Sequence, residues 1–243
     1  MIEVTDLQRE FKGGEEVIQV LKHVQLSIST GEFVAIMGPS GSGKSTLLQL
    51  LGGLDTPTKG EVRMNDIALH ELSEKERTLF RRRNIGFIFQ NYQLLPMLTV
   101  AENIAFPLDA DNVPQVEIKS RVNRLLKAVD LEGKGDMFPS VLSGGQQQRI
   151  AIARALSNQP RLILGDEPTG NLDRKTGTTI LNLLSKMHRE EKQTIVMVTH
   201  DIFAAGYADR VIMLKDGKIE AEIEREEANK DELMASFLAE LNA

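Results

Sequence analysis

From Gly38 to Thr46 the chain reads Gly-Pro-Ser-Gly-Ser-Gly-Lys-Ser-Thr: a glycine, four residues, then glycine, lysine and a hydroxyl residue. No other stretch restricts the fold so strongly, because this spacing belongs to a loop that wraps phosphate and needs a strand before it and a helix after it. A triphosphate concentrates negative charge, so backbone N–H groups must come close to it, and glycine permits that approach. Gly38, Gly41 and Gly43 supply it, with Pro39, Ser40 and Ser42 between them. Lys44 places an ammonium group on the β- and γ-phosphates, and Ser45 offers a hydroxyl to Mg²⁺. A helix from Thr46 to Leu51 points its positive end at the same charge. The flanks meet the requirement: Glu32 to Met37 reads as a buried strand, and Leu47, Leu48, Leu50 and Leu51 as an apolar helix closed by Gly52-Gly53. A glycine-rich turn spelling the pattern by chance would not carry both flanks.

Composition limits what can surround this loop. With 243 residues and 41% hydrophobic content, the chain holds one large α/β domain, or a core with an inserted subdomain. Its net charge of −6 gives no basic excess, so no nucleic-acid partner is expected, and Arg81-Arg82-Arg83 reads as a solvated helix end. The absence of cysteine excludes disulfides, thiol catalysis, cysteine-ligated zinc and iron–sulfur clusters. No signal peptide precedes Ile2, and no apolar run approaches the roughly 20 residues of a membrane-spanning helix. The chain is compatible with the cytoplasm, and at a membrane another chain would do the spanning.

Along the chain, Ile2-Glu3-Val4 predicts a short strand, and Val24, Leu26 and Ile28 alternate with polar residues as in a half-buried one. Phe11, expected on a loop between them, can stack a base or fill the core, and the residues leave both open. A turn over Leu54 to Gly60 leads to a strand from Glu61 to Met64, then a charged helix from Ser73 to Arg83 and a strand from Ile85 to Phe89. Gln90 follows at the carboxyl end of that strand, where ligands sit in open α/β sheets; its amide can meet Mg²⁺ or a water, or be a plain surface residue. From Asn91 a helical subdomain is expected, with Ile118, Val122, Leu125, Leu126 and Val129 on one helix face. The apolar residues around Tyr92, Leu94 and Leu95 serve as packing or as a groove for a partner's helix.

Ser143-Gly144-Gly145-Gln146 opens a helix running to Leu156, either as an anion site or as an ordinary cap. Leu162 to Gly165 is a buried strand that delivers Asp166 and Glu167, and two adjacent carboxylates there call for a cationic or protic neighbour. Asp166 then binds Mg²⁺ through water, and Glu167 orients or deprotonates the water that attacks the γ-phosphate. Asp173 caps a helix with Ile180, Leu181, Leu183, Leu184 and Met187 on its buried side, and the strand Thr194 to Val198 ends at His200. A lone histidine is more often structural, but at the end of a neighbouring strand His200 can reach the γ-phosphate and the water. Asp216-Gly217 turns a hairpin, and Leu233, Phe237 and Leu241 predict an amphipathic helix in an acidic tail.

Taken together, these residues resemble an ATP-binding-cassette (ABC) ATPase. The phosphate loop, Gln90, the signature Leu142 to Gln146, the pair Asp166-Glu167, the loop Asn171 to Asp173 and His200 follow in family order, from about Ile2 to Ile223. Thr99 to Ile104 and Asp166 to Asp173 are similar to the group containing the exporter MacB, the lipoprotein-releasing LolD and the division protein FtsE. Gly165 departs from the family's usual alanine, a change of packing rather than of chemistry. The resemblance implies a P-loop fold of the ABC type: a RecA-like core sheet, an N-terminal antiparallel β subdomain and an inserted helical subdomain. The expected divisions are residues 1–90 and 157–224 for the core, 91–156 for the helical subdomain with the signature, and 225–243 for the tail. It implies ATP and Mg²⁺ as ligands, Phe11 as the adenine-stacking ring, Thr46 among the phosphate contacts, and Glu167, His200 and Gln90 as catalytic. It also implies a head-to-tail homodimer in which Ser143, Gly144, Gly145 and Gln146, with Asp173, meet nucleotide across the interface. A separate permease would dock near Gln90 and Tyr92, with a periplasmic or extracellular adaptor beyond it, putting this chain peripherally on the cytoplasmic face of the membrane. Alternatives are a soluble ABC ATPase acting on DNA or ribosomes, or a division ATPase like FtsE.

Overall fold

Short apolar runs without a polar break make strands that must be covered on both faces, and β3 (Phe33–Met37), β7 (Leu162–Asp166) and β8 (Thr194–Val198) are buried almost throughout. With β6 (Ile85–Phe89), β9 (Arg210–Lys215) and β10 (Lys218–Glu224) they form a six-stranded sheet in the order β10-β9-β3-β8-β7-β6. Only the β9–β10 hairpin is antiparallel. The register matters for function: Phe89, Asp166, Val198 and Ile36 stand in one row across four parallel strands. The residues after that row therefore leave the sheet at one carboxyl edge, where open α/β sheets bind ligands. The computed structural model describes residues 1–13 and 16–224. The predicted tail helix with Leu233, Phe237 and Leu241 lies outside them.

A second, antiparallel sheet has the order β2-β1-β4-β5, built from β1 (Ile2–Gly13), β2 (Glu16–Ile28), β4 (Lys59–Met64) and β5 (Ile67–Ala68). The strand expected over Ile2 to Val4 thus runs on to Gly13. Register shifts near Asp6 (φ 47°) and His23 (φ 53°) break the period-two pattern that would have revealed it. Phe11 consequently stands on a strand, paired with Ile18, and not on the loop expected for it.

One face of the large sheet packs with the antiparallel sheet and with α1 (Lys44–Leu51), whose Leu47, Leu48, Leu50 and Leu51 are buried. The other face is covered by α6 (Arg174–Glu191) through Ile180, Leu181, Leu184 and Met187. A third core joins α3 (Val100–Ala110), α4 (Gln115–Ala128) and α5 (Gly144–Leu156) as the helical subdomain. The helix α5 belongs to both units: Ile152 packs with the sheet, while Ile150 and Ala153 pack with α3 and α4. The helix α3 carries Pro107 within it, opens with a Thr99–Glu102 capping box and buries Asn103. That amide donates to the carbonyls of Leu95, Leu98 and Thr99 and accepts from the Leu95 N–H, so it pins the preceding segment onto the helix. Before β6, the charged helix α2 (Glu74–Asn84) starts with its own capping box at Ser73 and Glu76.

Candidate active site

The phosphate loop leaves β3 in the middle of the sheet and is braced from behind. The Gly217 N–H, at the tip of the β9–β10 hairpin, donates to Ser42 O at 3.2 Å, and the Lys22 N–H donates to Gly217 O at 2.8 Å. Gly38 is required by this packing: a Cβ there would lie 1.9 Å from the Leu214 carbonyl oxygen. A Cβ at Gly41 (φ 81°) would meet nothing within 4 Å, so the space in front of Gly41 is open for a ligand. The two glycines serve different ends, one internal and one external. We expect Gly38→Ala to lower unfolding stability by about 1–3 kcal/mol through overpacking, and Gly41→Ala by about 1 kcal/mol through its backbone conformation alone; chemical denaturation of both variants measures the contrast.

In front of the loop lies a cavity of about 450 Å³, lined by Ser40, Gly41, Gly43, Lys44 and Ser45 on one side and by Glu167 on the other. Lys44 Nζ reaches back to the carbonyls of Gly38 at 2.9 Å and Pro39 at 2.8 Å. Burial pulls its pKa below the ordinary lysine value, while Glu167 and Asp166 push it up. Ser45 Oγ donates to Asp166 Oδ1 at 3.2 Å, which brings the hydroxyl of α1 and the carboxylate of β7 together. Burial raises the Asp166 pKa, with the Ser45 hydrogen bond and the Lys44 charge opposing the rise. A hydroxyl beside a partly desolvated carboxylate is an all-oxygen donor set, the kind that Mg²⁺ prefers.

Glu167 takes a left-handed backbone conformation (φ 47°), and its N–H donates to Val198 O at 3.0 Å. That bond ties the residue after β7 to the neighbouring strand β8. Its Oε1 lies 2.7 Å from Nδ1 of His200, the residue two beyond the end of β8. His200 thus meets the carboxylate directly. Gln90 leaves β6 at the same edge, its Nε2 donating to Asn171 Oδ1 at 3.3 Å. Asn171 Nδ2 in turn donates to Gln90 O at 3.1 Å and to Asn91 Oδ1 at 2.7 Å. Reading the chain placed Gln90, Glu167 and His200 at strand ends, and the register brings those ends together.

Thr46 also lines this cavity, and the remaining predicted residues do not. Ser143 caps α5: its Oγ accepts from the Gln146 N–H, and Gln146 Oε1 accepts from the Ser143 N–H at 3.2 Å. Both signature glycines also have a packing reason within the chain, since a Cβ on Gly144 would lie 2.7 Å from the Tyr92 hydroxyl and one on Gly145 2.3 Å from Thr176 Cγ2. Asp173 is the N-cap of α6, and hydrogen bonds from Thr176 hold its pKa down. Phe11 is partly exposed, with the Arg9 guanidinium 4.4 Å from its ring centroid. Sequence reasoning missed Arg154, half-buried near the end of α5, which grips the loop after Gln90 through the carbonyls of Tyr92 and Gln93. The one available signal was a charged residue inside the apolar run Ile150 to Leu156.

Comparison with known proteins gives one answer. Residues 21–170 match the ABC transporter family. The uncharacterized ABC transporter ATP-binding protein MJ0796 of Methanocaldococcus jannaschii is 49% identical over 91% of this chain and 96% of its own length. The macrolide export ATP-binding/permease protein MacB of Mannheimia succiniciproducens is 47% identical over 90% of this chain, but the match spans 34% of that longer protein. A dimeric structure of MJ0796 in a post-hydrolysis state, bound to ADP and Pi, superposes with a TM-score of 0.86 over 92% of this chain and 98% of that one, at 47% identity. The chain cbiO1 of Clostridium perfringens, part of the ABC transporter complex cbiONQ, superposes with a TM-score of 0.83 over 99% of this chain and 94% of that one, at 31% identity. With its family matched over more than half its length, its cavity lined by the phosphate loop and Glu167, and Asp166 joined to that loop through Ser45, the chain belongs to the ABC transporter family and is one of its ATP-binding, ATP-hydrolysing subunits.

Proposed function

We propose that the chain works as one half of a head-to-tail homodimer that encloses two ATP molecules and drives a separate membrane permease, in a MacB- or LolD-like export or extraction system. The observation that carries this reading is a division of the motifs. The phosphate loop and Glu167 line one cavity, with Asp166 joined to the loop through Ser45, while Ser143, Gly144 and Gly145 stand elsewhere on the same chain with the helix cap at Ser143 already made. A signature helix that closes on the γ-phosphate of a second copy accounts for both facts. Gln146 and Asp173 then lie at that interface, and Phe11 offers its exposed face to the adenine.

Within one site the geometry supports the following roles. The loop N–H groups from Ser40 to Thr46 and the Lys44 ammonium bind the phosphates. The Ser45 hydroxyl and the Asp166 carboxylate fit Mg²⁺, with the Gln90 amide completing the oxygen donors; when bound, the ion neutralises charge on the β- and γ-phosphates. Glu167 accepts a proton from the attacking water, and His200, held on the same carboxylate, orients that water and the γ-phosphate. Hydrolysis removes the γ-phosphate contacts and the dimer opens.

A cleft of about 370 Å³ beside this site, lined by Leu54, Phe87, Phe89, Gln93, Phe106 and Arg154, suits a helix of the permease. The Tyr92 hydroxyl lies over Gly144 and Gln93 lines the cleft, which supports docking of the permease on the loop near Gln90 and Tyr92. Among the described residues no helix is long and apolar enough to cross a membrane. In this reading the chain sits peripherally on the cytoplasmic face, and any periplasmic or extracellular adaptor is reached through the permease.

Two experiments test the proposal. Ser143→Ala, made in a Glu167→Gln background, is expected to weaken ATP-dependent dimerisation about tenfold in light scattering, the loss of one hydrogen bond to a charged group. ATP binding by the monomer should stay unchanged, and full-strength dimerisation would contradict the shared site. Capture of tagged Glu167→Gln from solubilised membranes with ATP and Mg²⁺ should recover a permease. Recovery of ribosomes or DNA would favour a soluble ABC ATPase instead, and recovery of division proteins an FtsE-like one.

A further inference from the structure

The loop after β6 is held in a costly shape by a residue far away in sequence. Tyr92 (φ 58°) and Gln93 (φ 52°) are consecutive non-glycine residues in the left-handed region, each costing about 1–2 kcal/mol. Arg154 offsets that cost by gripping two successive carbonyls with one planar guanidinium: Nη2 donates to Tyr92 O at 2.9 Å and Nη1 to Gln93 O at 2.5 Å. On the other side of the loop, Asn171 holds Gln90 O and the Asn91 side chain. The segment from Gln90 to Gln93 is therefore clamped at both ends, by α5 and by the turn that precedes α6. Arg154 is buried enough for its pKa to be pulled down, and it also lines the cleft that contains Gln93 and Phe106.

We propose that Arg154 is a positioning residue for hydrolysis, acting through Gln90: it fixes the loop so that Gln90 stays at the carboxyl edge of β6. The inference rests on the reading of Gln90 as a catalytic group in the proposed function. A purely structural arginine would act on stability alone.

The test is a double-mutant cycle on the full chain with steady-state ATP hydrolysis, binding of a fluorescent ATP analogue, and thermal unfolding of each variant. Arg154→Ala is expected to lower kcat about tenfold, with KM and analogue affinity changed by less than about twofold. Added to Gln90→Ala, it should cost nothing further, because both act through one group. Arg154→Lys should recover only part of kcat, since a single ammonium cannot hold both carbonyls in the same geometry. The proposal is overturned if the two losses multiply in the double variant, if Arg154→Ala turns over like the parent, or if analogue affinity falls in step with kcat. Should Arg154→Ala not fold, the cycle with Arg154→Lys decides by the same criterion. A parent protein that did not hydrolyse ATP would instead defeat the reading on which this rests, so the two failures are distinct.

Discussion

Replacing Glu167 by glutamine is expected to leave ATP binding intact and to lower turnover by about 10²- to 10⁴-fold, the usual worth of a general base. The backbone makes this a clean experiment. The Glu167 N–H is bonded to Val198 O, and the side chain meets His200 through one oxygen at 2.7 Å. Glutamine has the same shape and keeps an oxygen for that contact, so the substitution removes basicity while sparing the fold. Bound nucleotide should then persist, and dimer should accumulate with ATP. Steady-state hydrolysis alongside equilibrium binding of an ATP analogue checks both halves of the statement. Normal turnover in this variant would remove Glu167 from the chemistry and shift attention to His200.

The second large effect belongs to Lys44. Lys44→Ala is expected to weaken ATP binding about 100-fold, corresponding to one or two lost hydrogen bonds between charged groups. The ammonium sits among the carbonyls of Gly38 and Pro39 and near the carboxylates of Asp166 and Glu167. Burial lowers its pKa and those carboxylates raise it, so removing the charge also leaves the acidic pair without its cation. Unaltered affinity, measured by calorimetry with thermal unfolding as a control, would refute the reading of the loop from which the functional assignment starts.

Much of the site was legible because its residues are contiguous or stand at strand ends. The strands β3, β6, β7 and β8 are apolar runs with sharp polar boundaries, so Gln90, Glu167 and His200 could be placed at their ends from the sequence, and Lys44 in the loop-to-helix turn after β3. Less legible was anything set by long-range pairing. The length of β1 was hidden by the register shifts around Asp6, and with it the true setting of Phe11. The helix α3 was masked by Pro107, which argues against a helix on local grounds but is tolerated where Val100, Ile104 and Leu108 are buried. Arg154 stood out only as a charge inside an apolar run, and the partners of its grip could not be read, because they are main-chain carbonyls that carry no sequence signal. Glycines were legible as to place and only half legible as to reason: Gly38 answers to Leu214 and Gly145 to Thr176, contacts that only the folded chain provides.

The hairpin behind the phosphate loop has a thermodynamic consequence. Because Gly217 holds Ser42 and Leu214 presses on Gly38, the loop acquires its shape when the chain folds, before any nucleotide arrives. Ordering entropy that a floppy loop would surrender on association is thus already spent. The nucleotide meets a preorganised anion trap, and in the proposed dimer the free energy of binding remains available for drawing two subunits together.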